Sequence, residues 1–161
     1  MCASPLNSNG IAVIDSPIGH IKIRVESDCV VEIRETTFPL KAPEGFLADV
    51  CALITGYFNG HSIDGRADLF RLDGTPFQKA VWEECRRIPP GETRTYGEIA
   101  AAIGRPKAAR AVAQALASNN LLFYIPCHRV VSASGLGGFR LGTNAKKTLL
   151  ILEKTLKNTT I

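Results

Sequence analysis

No stretch of this 161-residue sequence approaches the roughly eighteen consecutive apolar residues that a membrane-crossing helix needs. Met1 to Gly10 holds no Lys or Arg ahead of an apolar run, the arrangement of a secretory leader. A protein that meets no membrane and works in the cytoplasm is therefore expected. C-x-x-C pairs are missing as well: Cys2, Cys29, Cys51, Cys85 and Cys127 are scattered, an odd set that describes no disulfide framework. Cys51 and Cys85 fall on apolar faces of expected helices, where inert buried thiols are the usual case. Cys2 and Cys29, taken with His20 or His61, lack metal-ligand spacing, so no metal is expected.

What is present is enough to build a core, since 45% of the residues are hydrophobic, and the length suits one ordinary domain or two small ones. The formal charge of +4 is unevenly spread. Through Thr75 there are six basic residues against ten acidic ones, and from Pro76 onward thirteen against five. The second part could attract phosphates, although a solvated basic surface fits the charge equally well.

Ile11 to Asp15 reads as a strand, Ser16-Pro17-Ile18-Gly19 as a turn, and Ile21, Ile23 and Val25 as the inward face of a second strand. Ser27-Asp28 turns the chain into a third run from Cys29 to Glu35. Pro43 can open a helix striped by Phe46 or Leu47, Val50, Leu53 or Ile54, and Tyr57 or Phe58, closing before Asn59-Gly60. Nothing in this part resembles chemistry.

Two capping boxes follow, Thr75-Pro76-Phe77-Gln78 and Thr95-Tyr96-Gly97-Glu98. The first opens a helix carrying Val81, Trp82, Cys85 and Ile88, stopped by Pro89-Pro90-Gly91. The second opens a short helix with Ile99, Ala100 and Ile103. Gly104-Arg105-Pro106 then breaks the chain before an Ala-rich helix from Lys107 to about Ser118. Two short helices around a Gly-containing turn describe a helix-turn-helix, with Arg105, Lys107 and Arg110 at the start of the second helix. Any pair of packed helices can share this pattern, so DNA is one reading among others at this point.

Residues 121–125 form an apolar run that reads as a buried strand, ending in Pro126-Cys127-His128-Arg129-Val130-Val131. Cysteine beside histidine suggests an activated thiolate, the form that attacks electrophiles. A bare Cys-His pair is more often a buried thiol next to a half-exposed imidazole.

Gly74-Thr75-Pro76-Phe77-Gln78 with Val81-Trp82, Ile88-Pro89 with Gly91, Thr95-Tyr96 with Ile99-Ala100, Arg110-Ala111-Val112, Asn119, Pro126-Cys127-His128-Arg129-Val130, Gly135, Gly138, Lys147, Leu149-Leu150 and Glu153 together resemble the O6-alkylguanine-DNA alkyltransferase family. The resemblance is specific from Gly74 to Glu153 and loose from Ile11 to Gly60. It implies an α+β protein: a small N-terminal sheet-plus-helix domain (1–72), then an α-rich C-terminal domain with a helix-turn-helix (73–161).

The same resemblance implies the roles. Cys127 accepts the alkyl group, and each molecule acts once. His128 acts through a water to hold Cys127 as thiolate, Glu153 on a C-terminal helix capped by Thr143 or Asn144 orients His128, and Asn119 braces the turn. Tyr96 helps rotate the nucleotide and protonates the leaving base, while Arg110 fills the gap left by the flipped guanine. Double-stranded DNA is the implied partner, entered from the minor groove with low sequence specificity. Thr95, Tyr96, Arg105, Lys107, Ala109, Arg110, Ala111, Gln114 and Arg129 are its expected contacts. Tyr96, Val130, Gly137, Gly138 and Phe139 would line the base pocket. No cofactor is implied, and a monomer that joins the nucleoid when bound to DNA is expected.

One departure stands out: the loop Gly135-Leu136-Gly137-Gly138-Phe139-Arg140 is a residue shorter than in many members, and Gly137 occupies the place of a frequent Ser. Three rivals are weighed. A non-catalytic lesion sensor lacks the cysteine that is present here, and a transcription regulator would leave Cys127, His128 and Glu153 without a task. A cysteine hydrolase would form a cleavable thioester and turn over.

Overall fold

A computed structural model describes residues 8–159. Contacts cluster into two units: Met1–Leu72 with Asn120–Tyr124, and Asp73–Asn119 with Ile125–Ile161. No helix among the described residues is long and apolar enough to cross a membrane.

The first unit is built on a three-stranded antiparallel sheet in the order β1 (Gly10–Ile14), β2 (Ile21–Glu26) and β3 (Cys29–Glu35). Alternation explains it: Ile21, Ile23 and Val25 are buried while their neighbours are half exposed. Ser27 and Asp28 sit at φ 50° and 58°, the left-handed pair that matches the twist of a two-residue hairpin. Side-chain oxygens of Asn9 and Asp28 accept from Ser27 N and Ser8 N at 2.8 Å each, securing that corner. Helix α1 (Phe46–Phe58) packs on β1. It starts beyond Pro43, from Gly45 at φ 54°, so that proline stands outside the helix it was expected to open.

The apolar run 121–125 is not a strand. It makes isolated bridges and turns, with Phe123 at φ 71°. Its backbone serves the edge of β3, where Ile33 N donates to Asn120 O at 2.7 Å and Leu122 N donates to Ile33 O at 3.3 Å. Its rings are taken up within the first unit: Phe123 lies 5.0 Å from both Tyr57 and Phe58, and Tyr124 stacks on Phe70 at 3.9 Å. Aromatic burial, rather than strand pairing, absorbs the hydrophobic run. Cys29 is disulfide-bonded, which corrects the expectation of unlinked cysteines and withdraws it as a metal ligand. Cys2 lies outside the described residues.

In the second unit both capping boxes form. Thr75 Oγ1 accepts from Gln78 N at 3.2 Å while Gln78 Oε1 accepts from Thr75 N at 2.8 Å, opening α2 (Pro76–Arg86). Thr95 and Glu98 repeat the exchange at 3.2 and 2.6 Å for α3 (Tyr96–Ala102). A cap of this kind is worth about 1 kcal/mol. The turn after α3 passes through Gly104 at φ 73°, and α4 (Ala109–Ala117) completes the helix-turn-helix. Lys107 lies in that turn and not in the helix, because Pro106 and an Ala108 cap without a side-chain acceptor delay the start. Trp82 Nε1 donates to Ala115 O at 2.8 Å and ties α2 to α4. The last helix, α5, spans Gly142–Thr159, so Thr143 and Asn144 fall inside its first turn instead of capping it. A short parallel pair, β4 (Arg94–Thr95) with β5 (Val130–Val131), was not foreseen.

Candidate active site

Cys127 opens one 3-10 turn, Cys127–Arg129, closed by Arg129 N donating to Pro126 O at 2.9 Å. Cys127 is 8% exposed. Asn119 spends its side-chain amide on two acceptors, Ile125 O at 2.9 Å and Cys127 Sγ at 3.3 Å. It thereby braces the turn and also touches the Cys127 sulfur, more than bracing alone required. Burial pushes the Cys127 thiol up, and the Asn119 amide with the nearby Lys146 and Arg140 charges opposes that push only in part. Burial thus favours the thiol form of Cys127 over the thiolate.

His128 is 1% exposed, and its Nε2 lies 2.8 Å from Glu153 Oε1. Glu153 is also buried, and it receives Arg129 Nε at 3.1 and 3.0 Å, Arg129 Nη2 at 2.8 Å and Gly91 N at 3.0 Å. These donors hold its carboxyl well below the usual carboxylate range against the opposing effect of burial. An ionised carboxylate only accepts, so Nε2 carries the His128 proton in this bond. Burial lowers the pKa of His128, Glu153 opposes that, and Arg129 already matches the carboxylate charge, so the ring rests neutral with Nδ1 as its basic nitrogen.

Arg129 is therefore no DNA contact. It is 6% exposed, forked onto Glu153, with Nη1 donating to Ile88 O at 2.6 Å. Its charge is consumed inside the unit, and the expectation from sequence is withdrawn.

The β4–β5 pair sets Thr95 opposite Val131, delivering Tyr96 to the loop after the nucleophile. Tyr96 OH donates to Gly138 O at 3.3 Å, and burial, with the Cys127 sulfur beside it, raises its pKa and keeps the phenol a donor. Gly137 stands at φ 68°, where an added Cβ would meet Tyr96 Cε2 at 3.0 Å and both Tyr96 OH and Ser132 N at 3.1 Å. In this shorter loop glycine is the residue that fits. Val130 is fully buried, and the Phe139 ring lies 6.3 Å from that of His128 in an edge arrangement.

On the helix-turn-helix, Arg105, Lys107, Arg110 and Gln114 are exposed, with Arg110 and Gln114 one turn apart, and Ala109 and Ala111 are half buried. Thr95 has its hydroxyl engaged in the cap. Two residues of the site had no signal in the sequence: Lys146, a completely buried lysine, and Arg140, whose Nη1 donates to Asn119 O at 3.0 Å. A lone lysine or arginine in a basic region reads as surface. Among the described residues no group of three His, Cys, Asp or Glu side chains could hold a metal ion.

The family model for 6-O-methylguanine DNA methyltransferase, DNA binding domain, matches residues 76–155. A probable methylated-DNA–protein-cysteine methyltransferase of Acanthamoeba polyphaga mimivirus is 41% identical over 150 residues, 92% of this chain and 98% of that protein. The methylated-DNA–protein-cysteine methyltransferase of Mycobacterium leprae is 41% identical over 149 residues, covering 88% and 90%. Among solved structures, the Mycobacterium tuberculosis OGT in complex with DNA is similar with a TM-score of 0.77 and 38% identity, covering 91% of this chain and 93% of that one. With a buried cysteine beside a histidine–glutamate pair and a helix-turn-helix in one α+β chain, and with relatives that match it nearly end to end, this chain belongs to the methylated-DNA–protein-cysteine methyltransferase family.

Proposed function

We propose that the chain is a DNA repair protein that transfers the alkyl group of O6-alkylguanine in duplex DNA onto its own Cys127, once per molecule. The observation that carries this reading is the buried row Asn119, Cys127, His128 and Glu153, in which one amide touches the sulfur and one carboxylate fixes the imidazole.

The chemistry follows from the resting protonation states. Cys127 loses its proton through a water to Nδ1 of His128, and the imidazolium so formed is stabilised by the Glu153 carboxylate already bonded to Nε2. The sulfur attacks the alkyl carbon, a sulfur–carbon bond forms, the carbon–O6 bond breaks, and its electron pair remains on the guanine. Tyr96, held as a phenol, donates to the leaving base as this charge develops. The product is a thioether, which offers water no leaving group, so the protein is consumed and no cofactor takes part. A frequent Ser contact to O6 is replaced here by backbone amides of the Gly137–Gly138 loop. O4-alkylthymine is a second candidate substrate.

Exposed Arg105, Lys107, Arg110 and Gln114 make the helix-turn-helix the DNA face. The small side chains Ala109 and Ala111 suit a narrow minor groove, and phosphate contacts give little sequence preference. The protein acts as a monomer, since acceptor, base and DNA face lie in one unit.

Incubation with an excess of O6-methylguanine duplex, followed by the mass of the Cys127 peptide, tests the reading. One methyl per protein at plateau, on Cys127, is the expected result. Linear turnover would indicate a hydrolase, and an unmodified Cys127 would end the proposal.

A further inference from the structure

Lys146 is completely buried, which lysine seldom is unless its charge has a use. Projecting from α5, its Nζ donates to Val130 O at 2.6 Å and to Gly138 O at 3.1 Å, and stands 6.0 Å from the centre of the Tyr96 ring. Gly138 O also accepts the Tyr96 hydroxyl. A single ammonium thus fastens together α5, β5 and the short loop, and its Val130 partner lies three residues beyond Cys127. Two carbonyls could equally be bridged by a neutral donor. A buried cation is warranted only if a negative charge appears beside it.

We propose that Lys146 is a positioning residue for alkyl transfer: its ammonium fixes the Val130 and Gly138 walls around the base and supplies the positive charge against which the Cys127 sulfur ionises. The first half rests on the proposed function; the second concerns the thiol alone. Burial lowers the Lys146 pKa and the Cys127 and Cys85 sulfurs oppose that, favouring the ammonium, with Tyr96 facing it from α3 and His128 within reach of its charge. Arg129 is neutralised by Glu153, and Arg140 adds a second cation toward Cys127. Cys85 is pushed well above an ordinary thiol by complete burial, so Cys127 is the sulfur that ionises. Its proton goes to His128 through water, while Lys146 keeps its own throughout.

The test compares wild type with Lys146→Met, nearly isosteric and neutral, and Lys146→Gln, which can still bond one carbonyl. The rate of Cys127 carbamidomethylation by iodoacetamide is followed from neutral to alkaline pH, with peptide masses separating Cys127 from Cys51 and Cys85. Both folded variants should react about tenfold more slowly at neutral pH and converge with wild type at high pH, because the midpoint moves up by about one pH unit. Single-turnover transfer from an O6-methylguanine duplex should fall in parallel, with Gln slower than wild type and faster than Met. A folded variant with the wild-type midpoint overturns the charge role. Wild type that fails to accept methyl overturns the proposed function instead, and with it the positioning half, while the iodoacetamide comparison still decides the charge half. Should neither variant fold, 15N-lysine NMR of wild type replaces them: one buried ammonium signal must titrate with the Cys127 midpoint and stop doing so in Cys127→Ser. A signal that ignores that midpoint is equally fatal.

Discussion

Arg129 and Glu153 meet as guanidinium fork and carboxylate in the interior, Nε 3.0 Å from Oε2 and Nη2 2.8 Å from Oε1. The carboxylate that aligns His128 is therefore already neutralised, so burial, aided by the Arg129 charge, keeps the imidazole uncharged until it receives a proton.

Breaking that fork should be costly. Arg129→Met leaves Glu153 buried without its guanidinium partner, although His128 and Gly91 still donate to it, and the expected loss is about 3–5 kcal/mol, the usual result of orphaning one partner of a buried pair. Urea denaturation reads the loss, and under conditions where the variant is folded its affinity for undamaged duplex should match wild type. A stable Arg129→Met protein that binds duplex weakly would return Arg129 to the DNA face.

Acid should destabilise the protein in two stages. His128 has a lowered folded pKa, so the unfolded chain takes up protons first as pH falls below about 6.5, and stability declines from there. Glu153, depressed in the folded state, contributes stability that is present above its unfolded value near 4.3 and is lost below it as pH moves toward its much lower folded value. Denaturation midpoints across a pH series should show both slopes. His128→Gln should remove the first and retain the second, and an unchanged first slope in that variant would contradict a neutral buried His128.

Glu153→Gln addresses the proton path. Without the carboxylate, the imidazolium formed during transfer is no longer stabilised, and single-turnover alkyl transfer at neutral pH should slow by about 10²- to 10⁴-fold, the span of positioned acid–base groups. Duplex affinity should hold, with folding confirmed by circular dichroism because Arg129 also loses its partner. Wild-type rate in a folded variant would reduce Glu153 to a structural residue.

Gly137→Ala tests the short loop. The left-handed backbone and the close approach to Tyr96 and Ser132 N should cost about 1–3 kcal/mol and displace the phenol. Transfer should slow while iodoacetamide still reaches Cys127. Unchanged stability and rate would mean that the loop adjusts freely.

Arg110→Ala separates base flipping from chemistry. Arg110 is exposed on α4 and outside the cysteine's hydrogen-bonded surroundings, so repair in duplex should suffer far more than reaction with free O6-benzylguanine, provided the pocket admits that base. Equal losses would dismiss it as an intercalating wedge.

Much of this was legible in the residues themselves. Period-two alternation located β2, the turns Ser16–Gly19 and Ser27-Asp28 bounded β1 and β3, and two reciprocal capping boxes located the starts of α2 and α3, because all these signals are local. Residues 121–125 misled, since an apolar run looks the same whether strands or aromatic rings absorb it. The β4–β5 pair is too short and too distant in sequence to leave a pattern. Cys127, His128 and Glu153 were found through resemblance, whereas the burial of Arg129 and Lys146 was invisible: a basic side chain shows its charge in the sequence and not its partner.

Asn120–Tyr124 belongs by contacts to the first unit although the chain has by then passed through α2, α3 and α4. During synthesis the β-sheet therefore emerges long before the segment that closes the edge of β3 and supplies Phe123 and Tyr124 to its aromatic cluster. The amino-terminal unit cannot reach its final packing on the ribosome until the helix-turn-helix has already been made, so the order of completion runs against the order of translation.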